Sequence, residues 1–301
     1  MRALRSLPAG LLLIASLGAL PALTEVRLAG MAGVGAGLPL GNSFVLNPAT
    51  VDLQHRVAFG TELGFAEGVS SDIQDFQGRL WLVRRVPVPR DSGLPDVGAG
   101  LSLDYAVANY SGSYPGAQGA LWSEGRLDGA VRVKFGPLSV GLGMLGVLSG
   151  TGMAVNAETI APAFAGDLNA GVFLGLANIG PGHLGVGVAV DRILADATNS
   201  ASRQIMVGAS YQIPRVIFAF DLRAAPDAVS PIDLALGADV SILPDRLSLR
   251  AGVQWLGLET IEPTVGVSLR IGALELAYAV GYNPTQAGIG THRLGVTLAA
   301  R

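Results

Sequence analysis

Leu127-Asp-Gly-Ala-Val-Arg-Val-Lys-Phe135 sets apolar side chains on one parity and charged or small ones on the other. A period of two is the signature of a β-strand with two different faces. Leu127, Val131, Val133 and Phe135 make one face apolar. Arg126, Asp128, Arg132 and Lys134 make the other charged. A Lys or Arg held in hydrocarbon costs ~2–4 kcal/mol at the bilayer midplane. The apolar face therefore meets lipid and the charged face lines a lumen. The same alternation returns in Val57–Phe65, Leu184–Asp191, Ile205–Ile213, Leu234–Ile242 and Leu274–Tyr282.

Composition agrees with this reading. The 301 residues are 50% hydrophobic but only 14% charged, against roughly 25% charged in ordinary soluble domains. Beyond the extreme N-terminus no run approaches the ~20 apolar residues that a membrane helix needs. The hydrophobicity is spread out in alternation instead. The formal net charge of −3 argues against a nucleic-acid partner, which calls for a basic patch. The chain has no cysteine, which removes thiol chemistry, zinc–cysteine sites and disulfides.

The expected fold is all-β: a closed antiparallel transmembrane barrel of about fourteen strands with an N-terminal plug. Strand centres fall near Phe59, Leu80, Leu101, Val131, Leu142, Val172, Val186, Val207, Phe218, Leu236, Leu249, Val267, Leu276 and Val296. Gly136-Pro137, Ile213-Pro214, Leu243-Pro-Asp245 and Ile271-Gly272 read as tight periplasmic turns. The stretches 108–124, 149–165, 192–203, 223–231 and 282–291 read as extracellular loops. Trp81, Tyr105, Trp122, Trp255, Tyr278 and Tyr282 are candidates for interfacial girdles on the lipid side.

Residues 1–22 have the layout of a signal peptide: Arg2 and Arg5, then Leu11-Leu-Leu-Ile-Ala-Ser-Leu17, then Ala19-Leu-Pro-Ala22. Residues 23–53 lack strand alternation and are expected to fold inside the barrel formed by 54–301. Within them, Asn47-Pro48-Ala49 is read as a turn that anchors the plug, because Asn before Pro is a good turn starter; direct ligand contact is the other reading. The inward glycines Gly141, Gly143, Gly185 and Gly187 either pack a crowded lumen, the reading preferred here, or let the plug approach and the wall kink.

The lumenal charges are Asp104, Arg126, Asp128, Arg132, Lys134, Asp221, Asp239, Arg250, Arg270 and Arg293, with Asp191, Asp233 and Glu275 on the same inward phase. They form a mixed-sign network, read mainly as pairs that hold plug to wall and secondarily as a solute site. No catalytic residue is assigned: there is no Gly-x-Ser-x-Gly elbow. His55, His183 and His292 show no metal-ligand spacing, so neither metal nor cofactor is expected.

Two short motifs carry a family resemblance. Gly41-Asn-Ser-Phe-Val-Leu-Asn-Pro-Ala49 resembles the Asn-Pro-Ala signature of long-chain fatty-acid transporter-like outer-membrane proteins, although Thr50-Val51 replaces the Gly-Leu that usually follows. Gly288-Ile-Gly-Thr-His-Arg-Leu-Gly-Val-Thr-Leu298 is similar to the last strand of the PorV-like branch. The resemblance implies a fourteen-strand barrel with an N-terminal hatch in the cell outer membrane. It implies membrane lipid as surroundings, and either hydrophobic small molecules or secreted proteins as partners. Passive passage of small hydrophobic molecules is the preferred expectation; a docking or shuttle barrel, or a purely structural one, is the alternative. The loop Asn156-Ala-Glu-Thr-Ile-Ala-Pro-Ala-Phe-Ala165 is mildly apolar and leans towards transport.

Overall fold

The computed structural model describes the chain except residues 1–25, 30, 40–42, 52–54, 68–72, 87–92, 112–117, 156–157, 195–202, 227–231, 258–259, 284–288 and 301. The signal-peptide reading of 1–22 lies outside the described residues. Fourteen antiparallel strands close on themselves, each paired with its chain neighbour and β1 paired with β14. They are β1 Val57–Glu67, β2 Ile73–Val86, β3 Asp96–Ser111, β4 Gln118–Phe135, β5 Leu138–Val155, β6 Glu158–Ile179 and β7 Gly182–Asp191. Then follow β8 Gln204–Ile213, β9 Val216–Ala224, β10 Ile232–Leu243, β11 Leu247–Leu256, β12 Thr260–Ile271, β13 Leu274–Asn283 and β14 Ile289–Ala300. Every strand centre read from the alternation falls inside the corresponding strand.

The two ends of the barrel differ. At one end, two- or three-residue turns join β4 to β5, β6 to β7, β8 to β9, β10 to β11 and β12 to β13. Gly136 and Gly272 take φ of 58° and 62° there, the left-handed region that tight hairpins demand and glycine enters without strain. Both termini of the barrel, Val57 and Ala300, meet at this end. The longest connection, 192–203, lies at the other, while 87–95 joins β2 to β3 at the short-turn end.

Two expected loops turn out to be mostly wall. Residues 108–124 and 149–165 carry little alternation, yet their backbones keep pairing: Tyr110 faces Ala120, Thr151 faces Ile160 and Val155 faces Glu158. β4 and β5 reach 18 residues and β6 reaches 22, against the ~9–11 that cross a membrane. Past the hydrocarbon no lipid imposes a pattern, so ladder hydrogen bonds alone carry the strand. The stretch 156–165, expected as a loop, is strand from Glu158 onward; 156–157 lie outside the described residues.

The outer face is apolar along the wall: Leu101, Leu103, Leu127, Val131, Leu142, Met144, Leu236, Val265 and Leu294 are all exposed. On β4, Arg126, Asp128 and Arg132 are buried inside and Lys134 is half-buried. Tyr105, Tyr278 and Tyr282 face outward and exposed, and Trp255 is outward and half-buried. Trp81 does not join them. It is 2% exposed, packs over Gly60 inside the barrel and donates to Glu62 at 3.2 Å. Its strand parity is that of Arg79, which must also point inward. The Trp122 side chain lies outside the described residues.

A test of the faces compares two arginines. Val131→Arg puts charge in hydrocarbon and should cost ~2–4 kcal/mol, read as reduced folding yield in lipid vesicles by heat-modifiable gel migration. Gln212→Arg, inward and exposed at the short-turn end, should fold like the parent. Equal yields would overturn the assignment. Ala130 would not serve as the inward control: it points inward but is buried against Phe44 and Trp81 in an apolar cluster rather than facing water.

Candidate functional site

The described part of the N-terminal segment, between Val26 and Val51, runs around the inside of the barrel as a belt. A helical turn, Val26–Ala29, packs on β12, β13 and β14. Met31 and Ala32 cross β10 and β11, residues 35–37 cross β7, β8 and β9, and Asn47 and Pro48 cross β5 and β6. Phe44 lies on Gly100 of β3. Leu28, Met31, Val34, Ala36, Ala49 and Val51 are wholly buried.

Inward glycines form the seat of this belt. A Cβ at Gly208 would lie 2.6 Å from the Gly37 amide nitrogen, and one at Gly252 would lie 2.6 Å from that of Ala32. One at Gly100 would lie 2.9 Å from the Phe44 ring. Cβ atoms at Gly141, Gly171 and Gly187 would collide with Pro48–Ala49, Asn47 and the Ala36 carbonyl respectively. These are closer than van der Waals contact allows. Of the two readings of Gly141 and Gly187, close approach of the plug is therefore the one the geometry supports, and plain packing of a crowded lumen is not. Gly143 is looser, 3.6 Å from Pro48 Cβ.

Hydrogen bonds lock the belt in place. Asn47, fully buried, accepts from the Ala49 amide at 3.0 Å and donates to the Ala36 and Val172 carbonyls at 2.8 and 3.3 Å. One side chain thus starts the turn at Pro48–Thr50, ties two limbs of the belt together and ties both to β6. Asp221, 1% exposed, accepts from the Gly35 and Ala36 amides at 2.7 and 3.1 Å. Arg223 donates to the Gly33 carbonyl at 2.6 Å, Ser210 to Gly37 at 2.6 Å and Arg132 to Val51 at 2.6 Å. Arg132 also reaches Ser139 and lies over the Phe173 ring.

The remaining lumenal charges pair within the wall. Arg79, fully buried, grips Asp104 with two nitrogens, and Ser102 donates to Asp104 at 2.9 Å. Arg126 and Asp128, two apart on one strand, form a bidentate pair at 2.8 and 2.9 Å. Arg250 bridges Asp239 at 3.1 Å and Glu275 at 3.2 Å, and Arg270 meets Glu275 at 2.5 Å. Arg293 is inward and half-buried. Among the described residues no ion pair includes Lys134. Arg79, Glu62 and Arg223 were not singled out in the sequence. The signal was present: each shares the inward parity of its strand.

The histidines stay apart. His292 stacks on Phe65 with centroids 4.7 Å apart on the outer face, its Nδ1 2.7 Å from the Tyr278 hydroxyl. His183 is exposed at the short-turn end, and His55 precedes β1. Among the described residues no group of three or more acidic or histidine side chains could hold a metal ion.

At the short-turn end the mouth is asymmetric. On the side of β2, β4 and β5 it is filled by Phe44, Val51, Trp81 and Val83 together with Arg132. Beside β8–β13 lies a polar cavity of about 320 Å³. Ile217 lines it and also belongs to the apolar cluster of Leu28 and Leu38 of the belt.

The fold matches a solved transporter. Over 91% of this chain and 97% of the other, it superposes on the toluene transporter TbuX of Ralstonia pickettii with a TM-score of 0.64 at 14% identity. A triple mutant of the Rhodopseudomonas blastica porin superposes far more loosely, with a TM-score of 0.43 over 81% of this chain at 11% identity. No family model and no curated protein matches the sequence. The shared architecture is that of an outer-membrane-type barrel.

The glycine seat is testable. Gly208→Val should displace the belt, because overpacking a tight contact costs ~1–3 kcal/mol or more. Limited proteolysis of the folded protein should then cut between residues 26 and 51 where the parent resists. Gly129→Val, whose Cβ would have no atom within 4 Å, should leave that resistance intact. Equal resistance in both variants would refute the seat.

Proposed function

We propose that this protein is a plugged barrel of a bacterial outer membrane that passes small hydrophobic molecules, its short turns facing the periplasm and its longer connections facing outward. A closed wall with an apolar exterior satisfies every backbone group in lipid. Membrane lipid is then its surrounding partner. The observation that carries the transport reading is the plug: a segment held inside a closed barrel by hydrogen bonds and apolar contacts, in the architecture of a toluene transporter. A fourteen-strand barrel is wider than the ~8-strand size that side chains can fill, so an internal segment governs what crosses. Asn47, Asp221 and Arg132 then act as the latches of the gate.

The second reading is a barrel without small-molecule cargo, structural or docking a secreted protein. One observation favours it. Buried charges on β1 to β4, among them Glu62, Arg79, Asp104, Arg126 and Asp128, line the inner wall, and an apolar solute gains nothing from them.

Asp221→Ala separates the two readings. It removes the acceptor for two buried amides, a loss of ~1–3 kcal/mol, at the centre of the belt. In cells carrying the barrel in the outer membrane, uptake of a hydrophobic naphthylamine dye should rise above the parent level, and single-barrel conductance in planar bilayers should become larger or noisier. If Asp221→Ala folds and both readouts match the parent, the plug is not a gate and the second reading stands.

A further inference from the structure

The cavity beside β8–β13 has a chemistry that hydrophobic passage does not use. Its floor is Arg250, whose side chain is 1% exposed. Asp239 and Glu275 hold that guanidinium from two sides, and the Ser268 hydroxyl accepts from it at 2.6 Å. Arg270 engages the other oxygen of Glu275. Both carboxylates are thus engaged by arginines. Arg215 and Arg246 stand on the turns at the rim, exposed, with Asp245 beside them. Among the described residues no ion pair includes Arg215 or Arg246. Ser241, Ser248 and Gln212 add hydroxyl and amide groups to the lining.

We propose that this vestibule, rigid Arg250 below and Arg215 and Arg246 above, binds a small oxyanion of at least two negative charges from the short-turn side. Guanidinium forks match carboxylate and phosphate oxygens two at a time, and such charge-assisted bonds are the strong ones. A cation entering here meets four arginines against three carboxylates, and two of those carboxylates are already engaged by arginine. An apolar solute meets few apolar walls. The volume suits one small molecule: about 320 Å³ stands at the lower end of the roughly 300–1,000 Å³ of small-molecule pockets. The floor is preorganised, because Arg250 is fixed by three partners before any ligand arrives, and this lowers the ordering cost of binding. His55, between the belt and β1, lines the same cavity. An occupant therefore touches both the wall and the link to the plug. The site is independent of what the barrel transports.

The test is titration calorimetry on the detergent-solubilised full chain at low salt, with citrate and with inorganic phosphate as separate probes. One of the two should bind at one molecule per barrel and raise the unfolding temperature; which one does assigns the carboxylate or the phosphate class. Arg215→Gln with Arg246→Gln should weaken binding about tenfold or more, the loss expected for hydrogen bonds to charged groups. The single Arg246→Gln, on an exposed turn, should give a smaller loss in the same direction and covers the case of a misfolded double variant. Arg84→Gln, an exposed arginine on the outer face, should bind like the parent. Absence of binding to either probe overturns the proposal. So does a loss in Arg84→Gln equal to that in the rim variants.

Discussion

Closure of the seam between β1 and β14 is the constraint on which the rest depends. Ten residue pairs join them, from Val57 with Ala300 to Ala66 with Thr291. In hydrocarbon an unpaired amide or carbonyl has no water to turn to, so an open sheet edge is prohibitive. Once the seam is closed, every strand has two neighbours, and each side chain has only two places to go. That division sorts Leu127 from Asp128 and Val131 from Arg132. It also forces the charged groups of the inward parity into one lumen, where pairs such as Arg79 with Asp104 and Arg126 with Asp128 hold them; breaking a buried pair costs roughly 3–5 kcal/mol.

The lumen left by fourteen strands is too wide for wall side chains to fill. The N-terminal segment supplies the missing volume, but only where the wall recedes. Inward glycines on β3, β5, β6, β7, β8, β10 and β11 make that recess, and Asp221, Arg223, Ser210 and Arg132 take up the backbone groups of the belt that sheet pairing does not reach. Wall and plug are thus complementary in shape and in hydrogen bonding. The same arrangement leaves the cavity on the β8–β13 side, because Phe44, Val45 and Val51 of the belt fill only the opposite half of the mouth.

The strands were legible because lipid on one side and lumen on the other write a local, period-two code. The N-terminal segment stood out by lacking that code, and Asn47 by standing before Pro48. Contacts that depend on register were not legible. Arg79 faces Asp104 across β2 and β3, and nothing local to either residue shows that. Trp81 looked like a girdle aromatic, since residue type suggests an interface while only strand parity shows the inward face. Strand parity turns Ala130 inward, but only the belt shows that it meets apolar neighbours there rather than water. Residues 108–124 and 149–165 read as loops because, outside the hydrocarbon, strand pairing leaves no alternation to read.

The belt is short in sequence but touches strands from both ends of the chain. Val26–Ala29 meets β12 to β14, while Phe44 meets β3. Seam residues Val57 and Ala300 are separated by nearly the whole barrel sequence, a long loop whose closure costs entropy and slows assembly. A ligament that binds early and late strands at once shortens the effective loop, because strands already gathered around it have less conformational space left to search. The plug is in this sense a mandrel: the wall can be wound on it, and the slowest contact in the fold becomes a local one.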